Sequence, residues 1–172
     1  MRRLRYDCAA SLDGFIADPD GGYGWIVEDA SIDFDALYAE FDTFVMGRKT
    51  WDVMQALGDA NPLRGRRVIV ASRTLDAAAH PGVTVVRDDI ARHVAALKAE
   101  PGERDIWLFG GGELAAQLFE AGLVDRLEVA LMPVLLSRGI PLLAPGAPQR
   151  LALVSSRRLA SGILMLAYDV MR

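Results

Sequence analysis

Three short stretches carry residue types able to hold an anion: Gly47-Arg48-Lys49-Thr50, Ser72-Arg73 and Gly110-Gly111-Gly112. Each follows a short run rich in apolar residues (43–46, 67–71 and 106–109) with the pattern of a strand in a buried parallel sheet. The first and third run straight into a helical pattern. A strand that enters a helix through glycine leaves backbone N–H groups and the positive end of the helix dipole facing open space. That arrangement suits a pyrophosphate, and an adjoining arginine adds a planar fork that can donate two bonds to a phosphate. Each stretch also has a plain reading: the glycines as packing, Arg48 as a solvated helix residue, Arg73 as an exposed turn residue. Their shared place at strand ends, where ligands of open α/β sheets bind, favours a nucleotide.

A second kind of chemistry needs a proton source. Asp33 stands at the N-cap of a helix over 33–41, in which Phe34, Leu37, Tyr38 and Phe41 recur at i, i+3, i+4 and i+7. Ile32 and Leu37 are spaced for a hydrophobic staple. Desolvation beside that apolar face would raise the carboxyl pKa, and the helix N-terminus would lower it. Capping explains Asp33 as well as acid catalysis does, and Asp29 or water is the alternative proton source. In the basic turn Pro62-Leu63-Arg64-Gly65-Arg66, Arg66 can hold an anionic substrate tail or be merely solvated. His80 and His93 have no metal-ligand company, so no metal is expected.

The elements that must position these groups follow in order. A strand over 4–10 leads into the Asp13-Gly14 turn, and 18–24 is a glycine-rich loop, a surface loop or a mobile lid, ending at Trp25. After the strand over 67–71 come a strand over 83–86 and a helix over 90–98. A helix then runs from Glu113 to a C-cap at Gly122. A strand over 127–133 precedes two more, 150–159 and 163–170, around the hairpin signal Ser161-Gly162. Early strands alternate with helices and late ones follow one another. The expected fold is therefore a single α/β domain over 1–172, with a mainly parallel sheet, an antiparallel C-terminal edge, and helices on both faces.

Composition bounds the partners. Of 172 residues, 52% are hydrophobic and 24% charged, and the net charge of -4 argues against a general nucleic-acid or anionic-membrane binder. The one cysteine, Cys8, lies in an apolar run and cannot form an internal disulfide. No stretch has signal-peptide or membrane-spanning character, and a cytoplasmic protein is expected.

These stretches resemble the dihydrofolate reductase superfamily: Met46-Gly47-Arg48-Lys49-Thr50-Trp51 is similar to its signature, and Leu12-Asp13-Gly14-Phe15-Ile16-Ala17 to the entry of its mobile loop. The basic turn with Val68 to Arg73, and Phe109-Gly110-Gly111-Gly112-Glu113, resemble its following turn, strand and glycine turn. Leu123-Val124-Asp125-Arg126-Leu127 and Pro133 to Leu142 are more similar to the C-terminal reductase domain of bifunctional riboflavin-biosynthesis enzymes.

The resemblance implies a three-layer α/β/α fold and an NADPH-dependent reductase acting on a C=N or C=O acceptor of pterin, pyrimidine or related type. It implies a cofactor site at Ala9, Ile16, Gly47, Arg48, Lys49, Thr50, Ser72, Arg73, Gly110, Gly111, Gly112, Glu113 and Leu114, with Arg48 and Arg73 near the adenosine 2′-phosphate. It implies substrate contacts at Trp25, Leu37, Arg66 and Phe109 and a catalytic role for Asp33. The folate-enzyme acid position is held by Ala30, and Phe109 replaces the glutamate that usually precedes the paired glycines of the riboflavin-pathway enzymes. The acceptor therefore stays open. A catalytically inactive protein that keeps the NADPH cradle, or a flavin-binding variant, is the competing reading. A homodimer is expected from the apolar content of 127–136, in excess of what an edge strand needs, and from the resemblance.

Overall fold

The computed structural model describes residues 1–171. Among the described residues there are ten strands: β1 (Leu4–Ser11), β2 (Phe15–Ala17), β3 (Phe41–Gly47), β4 (Arg67–Ala71), β5 (Val83–Val86), β6 (Asp105–Gly110), β7 (Arg126–Met132), β8 (Ile140–Pro141), β9 (Leu151–Arg158) and β10 (Leu164–Val170). Four α-helices accompany them: α1 (Phe34–Ala39), α2 (Arg48–Ala56), α3 (Ile90–Ala99) and α4 (Gly112–Glu120).

Eight strands form one sheet in the order β5-β4-β3-β6-β1-β7-β10-β9. The pairings from β5 across to β7 are parallel, and β10 runs antiparallel to both β7 and β9. This is the expected fold, a mainly parallel sheet with an antiparallel C-terminal edge and helices on both faces. Phe44, Val45 and Met46 of β3 are all fully buried, as a central parallel strand covered on both sides requires.

Strand alternation sorts the core into two layers. Leu4, Tyr6, Ile106 and Leu108 pack with Val94 and Leu97 of α3 and Leu114, Ala115 and Leu118 of α4. On the opposite face Phe44, Met46, Val68, Val70 and Trp107 pack with Trp51 of α2 and with Leu37 and Tyr38 of α1. Burying each such side chain contributes roughly 2 kcal/mol, so the two layers hold the sheet rigid at the site. A smaller cluster of Met132, Leu159 and Ile163 takes in Trp25 and Ile32. Ile32 and Leu37, expected as a staple, thus belong to different clusters.

Local signals in the sequence account for the helix ends. Asp33 caps α1, its carboxylate accepting the N–H of Ala36. Gly122, at φ +65°, ends α4 in a left-handed turn in which Gly122 N–H donates to Phe119 and Leu123 N–H to Leu118. The apolar content of β7 has an internal cause: it lies between β1 and β10, not at the edge. At the antiparallel edge the outer strand is β9, where Leu153 and Val154 are exposed. No helix among the described residues is long and apolar enough to cross a membrane.

Candidate functional site

The carboxyl ends of β4, β3 and β6 lie side by side. At these ends β3 turns into α2 through Gly47 and β6 turns into α4 through Gly110 and Gly111. Gly47 and Gly111 are the N-caps of α2 and α4, and neither helix has a side-chain cap. Their first N–H groups are left for another acceptor. By contrast, α1 and α3 are capped by Asp33 and Asp89.

Several predicted residues converge here. A Cβ on Gly47 would lie 3.9 Å from the Gly110 carbonyl oxygen, and one on Gly111 would lie 3.9 Å from both Thr50 Oγ1 and Ile16 Cδ1. Gly47, Thr50, Gly110, Gly111 and Ile16 therefore line one small region. The Gly110-Gly111 peptide is cis, and Gly110 has φ +120°, a conformation that favours glycine. Arg48 and Lys49 occupy the first turn of α2, where Arg48 Nε donates to Asp52 at 2.8 Å. Ser72 and Arg73 follow β4; Ser72 Oγ accepts the N–H of Leu75, and Arg73 is exposed. Ala9, half-buried near the end of β1, completes the row.

Other predicted residues lie elsewhere or serve packing. A Cβ on Gly112 would come within 2.4 Å of the Pro141 carbonyl oxygen, so this glycine permits close packing of 141–142 against α4. Leu114 is core, leaving only its backbone free to meet a ligand, and Glu113 is exposed beside it. Asp33 is exposed next to Phe34, itself 58% exposed, so the expected apolar wall is absent around its carboxylate. Asp29, the alternative proton source, is held below the usual carboxylate range by hydrogen bonding from Ser161 and Ser31, so it is ionised at neutral pH. Trp25 Nε1 donates to the Gly22 carbonyl at 3.2 Å and closes the loop that precedes it.

On the α1/α2 face the sheet presents an aromatic wall. Trp107 lies 5.1 Å from Tyr38 and 5.1 Å from Phe109, and Phe44 meets Phe109 edge to face at 6.3 Å. Arg66 stretches over Tyr38 and Phe44, at 5.1 Å and 5.6 Å from their centroids, and donates to the carbonyls of Pro62 and Tyr38. It precedes β4, at the far end of the strand from the glycine turns. Leu37 packs on the same aromatic cluster. A separate cleft of about 500 Å³, lined by Trp51, Leu63, Arg64, His80 and Val83 with Arg66 at its rim, lies at the amino ends of β4 and β5, away from the glycines.

Two residues went unnoticed in the sequence. Arg87 follows β5 and donates to the carbonyls of Arg73 and Leu75, pinning the turn that carries Arg73. Asp7 sits in mid-β1, its carbonyl accepting the indole N–H of Trp107 at 2.9 Å. Burial pushes its carboxyl up to about 7; Glu128 adds to the rise, Arg5 opposes it and Glu40 adds again. The available signal was one acidic residue in the middle of a mostly apolar strand run that also holds Arg5.

The arrangement has known relatives. A family model described as RibD C-terminal domain matches residues 2–165. The Bacillus subtilis (strain 168) protein YyaP is 31% identical over 181 residues, covering 98% of this chain and 95% of that protein. The riboflavin biosynthesis protein RibD of Corynebacterium ammoniagenes is 28% identical over 149 residues, covering 79% of this chain but only 44% of its own length. Among solved structures, a candidate riboflavin biosynthesis protein from Shewanella sp. PV-4 superposes with TM-score 0.84 at 25% identity over all of both chains. A pyrimidine reductase-like protein from Corynebacterium diphtheriae superposes with TM-score 0.73 at 18% identity, covering 99% of this chain and 92% of its own.

Proposed function

The chain belongs to the RibD C-terminal domain family, and we propose that it is an NADPH-dependent reductase of a pyrimidine-like, pterin-like or related small molecule. The observation that carries this reading is the pair of glycine-capped helices α2 and α4, both opened without a side-chain cap at neighbouring strand ends. Unsatisfied N–H groups and two dipole ends aimed at one place form a cradle for a dianionic pyrophosphate. A protein with no anion to hold would gain about 1 kcal/mol from a serine or aspartate at each cap.

In this reading Gly47, Thr50, Gly110 and Gly111 hold the pyrophosphate. Ser72, Arg73 and Arg48 face the adenosine 2′-phosphate, Arg48 by exchanging its exposed pairing with Asp52. Ala9 and Ile16 border the nicotinamide, which when bound supplies a hydride. The half-buried Tyr38 and Phe109, backed by the buried Trp107, border an unsaturated ring in this reading, and Arg66 beyond them holds an anionic tail.

Titrating the protein with NADPH and NADH and following tryptophan fluorescence tests the cradle; absence of binding by either rejects it. NADPH oxidation is then screened with dihydrofolate and with pyrimidine and quinoid acceptors. Tight binding without turnover on any acceptor supports the nucleotide binder instead. We also propose a homodimer, now on the exposed Leu153 and Val154 of edge strand β9. A monomer mass by sedimentation at micromolar concentration rejects it.

A further inference from the structure

We propose, resting on the nucleotide-dependent reduction set out above, that the carboxyl of Asp7 donates the proton that accompanies hydride transfer to the acceptor. Alternation along β1 puts the Asp7 side chain on the same face as Arg5 and Ala9, the face that carries the aromatic wall. Ala9 lies two residues nearer the cradle, about 7 Å along the strand at roughly 3.3 Å per residue. Trp107 is tied to the Asp7 backbone and packs at a tilt against Tyr38 and Phe109, and Tyr38 in turn feels the Asp7 charge, so Asp7 borders this aromatic cluster.

The neighbouring carboxylates are already engaged. Arg5 makes a two-pronged pair with Glu128 at 2.7 Å and 2.9 Å, and its remaining nitrogen meets Glu40 and, at 3.5 Å, Asp105. The Asp7 carboxyl accepts no hydrogen bond from any described residue. It is half-buried rather than sealed. The charged and titratable groups that face it are Glu128 of β7, in direct register, Arg5 of its own strand, Glu40 beyond α1, and Tyr38 of α1. With its pKa at about 7, the group is partly protonated at neutral pH and can act as an acid there. Asp33, by contrast, is exposed, and its carboxylate accepts the helix-cap hydrogen bond from Ala36.

The step balances with the reduced nicotinamide as reductant. The hydride electron pair forms the new C–H bond, the π pair of C=N or C=O moves onto the heteroatom, and that atom takes the proton from the Asp7 carboxyl. Asp7 is left as carboxylate and regains its proton from water.

The test needs no acceptor. The oxidised nicotinamide ring is cationic and the reduced ring neutral, so a carboxyl beside the ring titrates lower with NADP⁺ bound than with NADPH bound. By reciprocity, NADP⁺ affinity relative to NADPH rises as Asp7 ionises, by about tenfold between roughly pH 5.5 and pH 8.5. Two measurements are made: a carboxyl-carbon NMR titration of the wild-type protein, free and with each nucleotide, and calorimetric binding of both nucleotides across pH to wild type and Asp7→Asn. The expected result is a free midpoint near 7, lowered by NADP⁺, and an affinity ratio that varies with pH in wild type but is flat in Asp7→Asn. An Asp7 midpoint in the ordinary carboxylate range, or the same pH-dependent ratio in both proteins, overturns the proposal. Failure of both nucleotides to bind wild type overturns the reductase reading instead, and this proposal with it.

Discussion

The two ends of the same parallel strands are built on opposite principles. At the amino ends cations meet carboxylates: Arg2 with Asp42, Arg5 with Glu128 and Glu40, Lys98 with Asp125, and Arg67 with Glu100. Arg2, Arg5 and Lys98 are buried, and such side chains stay inside only when paired. At the carboxyl ends glycines open two helices without caps, and Arg73 stands exposed. One end is electrostatically complete and holds the layers together. The other keeps donors in reserve, which is useful only if an anion arrives. Asp7 lies between them in mid-β1, close enough to the closed end to feel Glu128 and Arg5.

The largest expected effect is on the group between the ends. Asp7 has a folded pKa above its unfolded value, so the folded state binds more protons, and stability falls as pH rises from about 4 toward about 7. The loss is on the order of 4 kcal/mol at full ionisation. Asp7→Asn removes it, and chemical denaturation should find the variant more stable than wild type above neutral pH, with the gap closing in acid. A gap independent of pH breaks the assignment.

Next is the closed end. Arg5→Met strands Glu128 without its partner and should destabilise by about 3 kcal/mol in urea unfolding. It also removes the one cation that lowers the Asp7 pKa, which should rise further. Nucleotide affinity should hold, and a matching loss of NADPH binding would dissolve the division between the ends.

At the open end, Gly47→Asp converts an open cap into a closed one. The backbone at φ -81° and ψ 169° admits any residue, and the new Cβ makes only ordinary contact with Gly110. The variant should gain about 1 kcal/mol of stability. It should lose NADPH binding by about a hundredfold, because a carboxylate occupies the anion's donors. Gain on both counts would show that the cradle is not where the phosphates sit. The smallest effect is on cofactor choice: Arg73→Ala should weaken NADPH about tenfold and leave NADH nearly unchanged. Equal losses in calorimetry would remove Arg73 from the 2′-phosphate.

Much of this was legible in the residues. The run 67–71 became β4 with the same bounds, Gly122 closes α4, Ser161-Gly162 lies in the β9/β10 hairpin, and Asp33 caps α1. These are local matters, settled by apolar period, turn chemistry and caps within a few residues of one another. The glycine junctions were equally visible, since a strand run, glycine and a helical run are adjacent in the chain.

What the chain order could not supply was who faces whom. Gly110, Gly111 and Gly112 look alike in sequence, yet only the first two face the open end, while Gly112 is wedged against Pro141. The apolar content of 127–136 points to a partner subunit in the sequence, yet the sheet order places its first part, in β7, between β1 and β10, while Leu135 beyond the strand is exposed. Asp33 has the helical spacing of a residue beside an apolar face, but α1 leaves Phe34 in solvent. Asp7 is the sharpest case. Its type and strand position belong to the sequence, but its acidity depends on desolvation by burial and on Glu128, more than a hundred residues away and brought into register only by the pairing of β1 with β7. Propensity and period act over one or two turns of chain. Desolvation and Coulomb interaction act through space, and only the assembled sheet sets those distances.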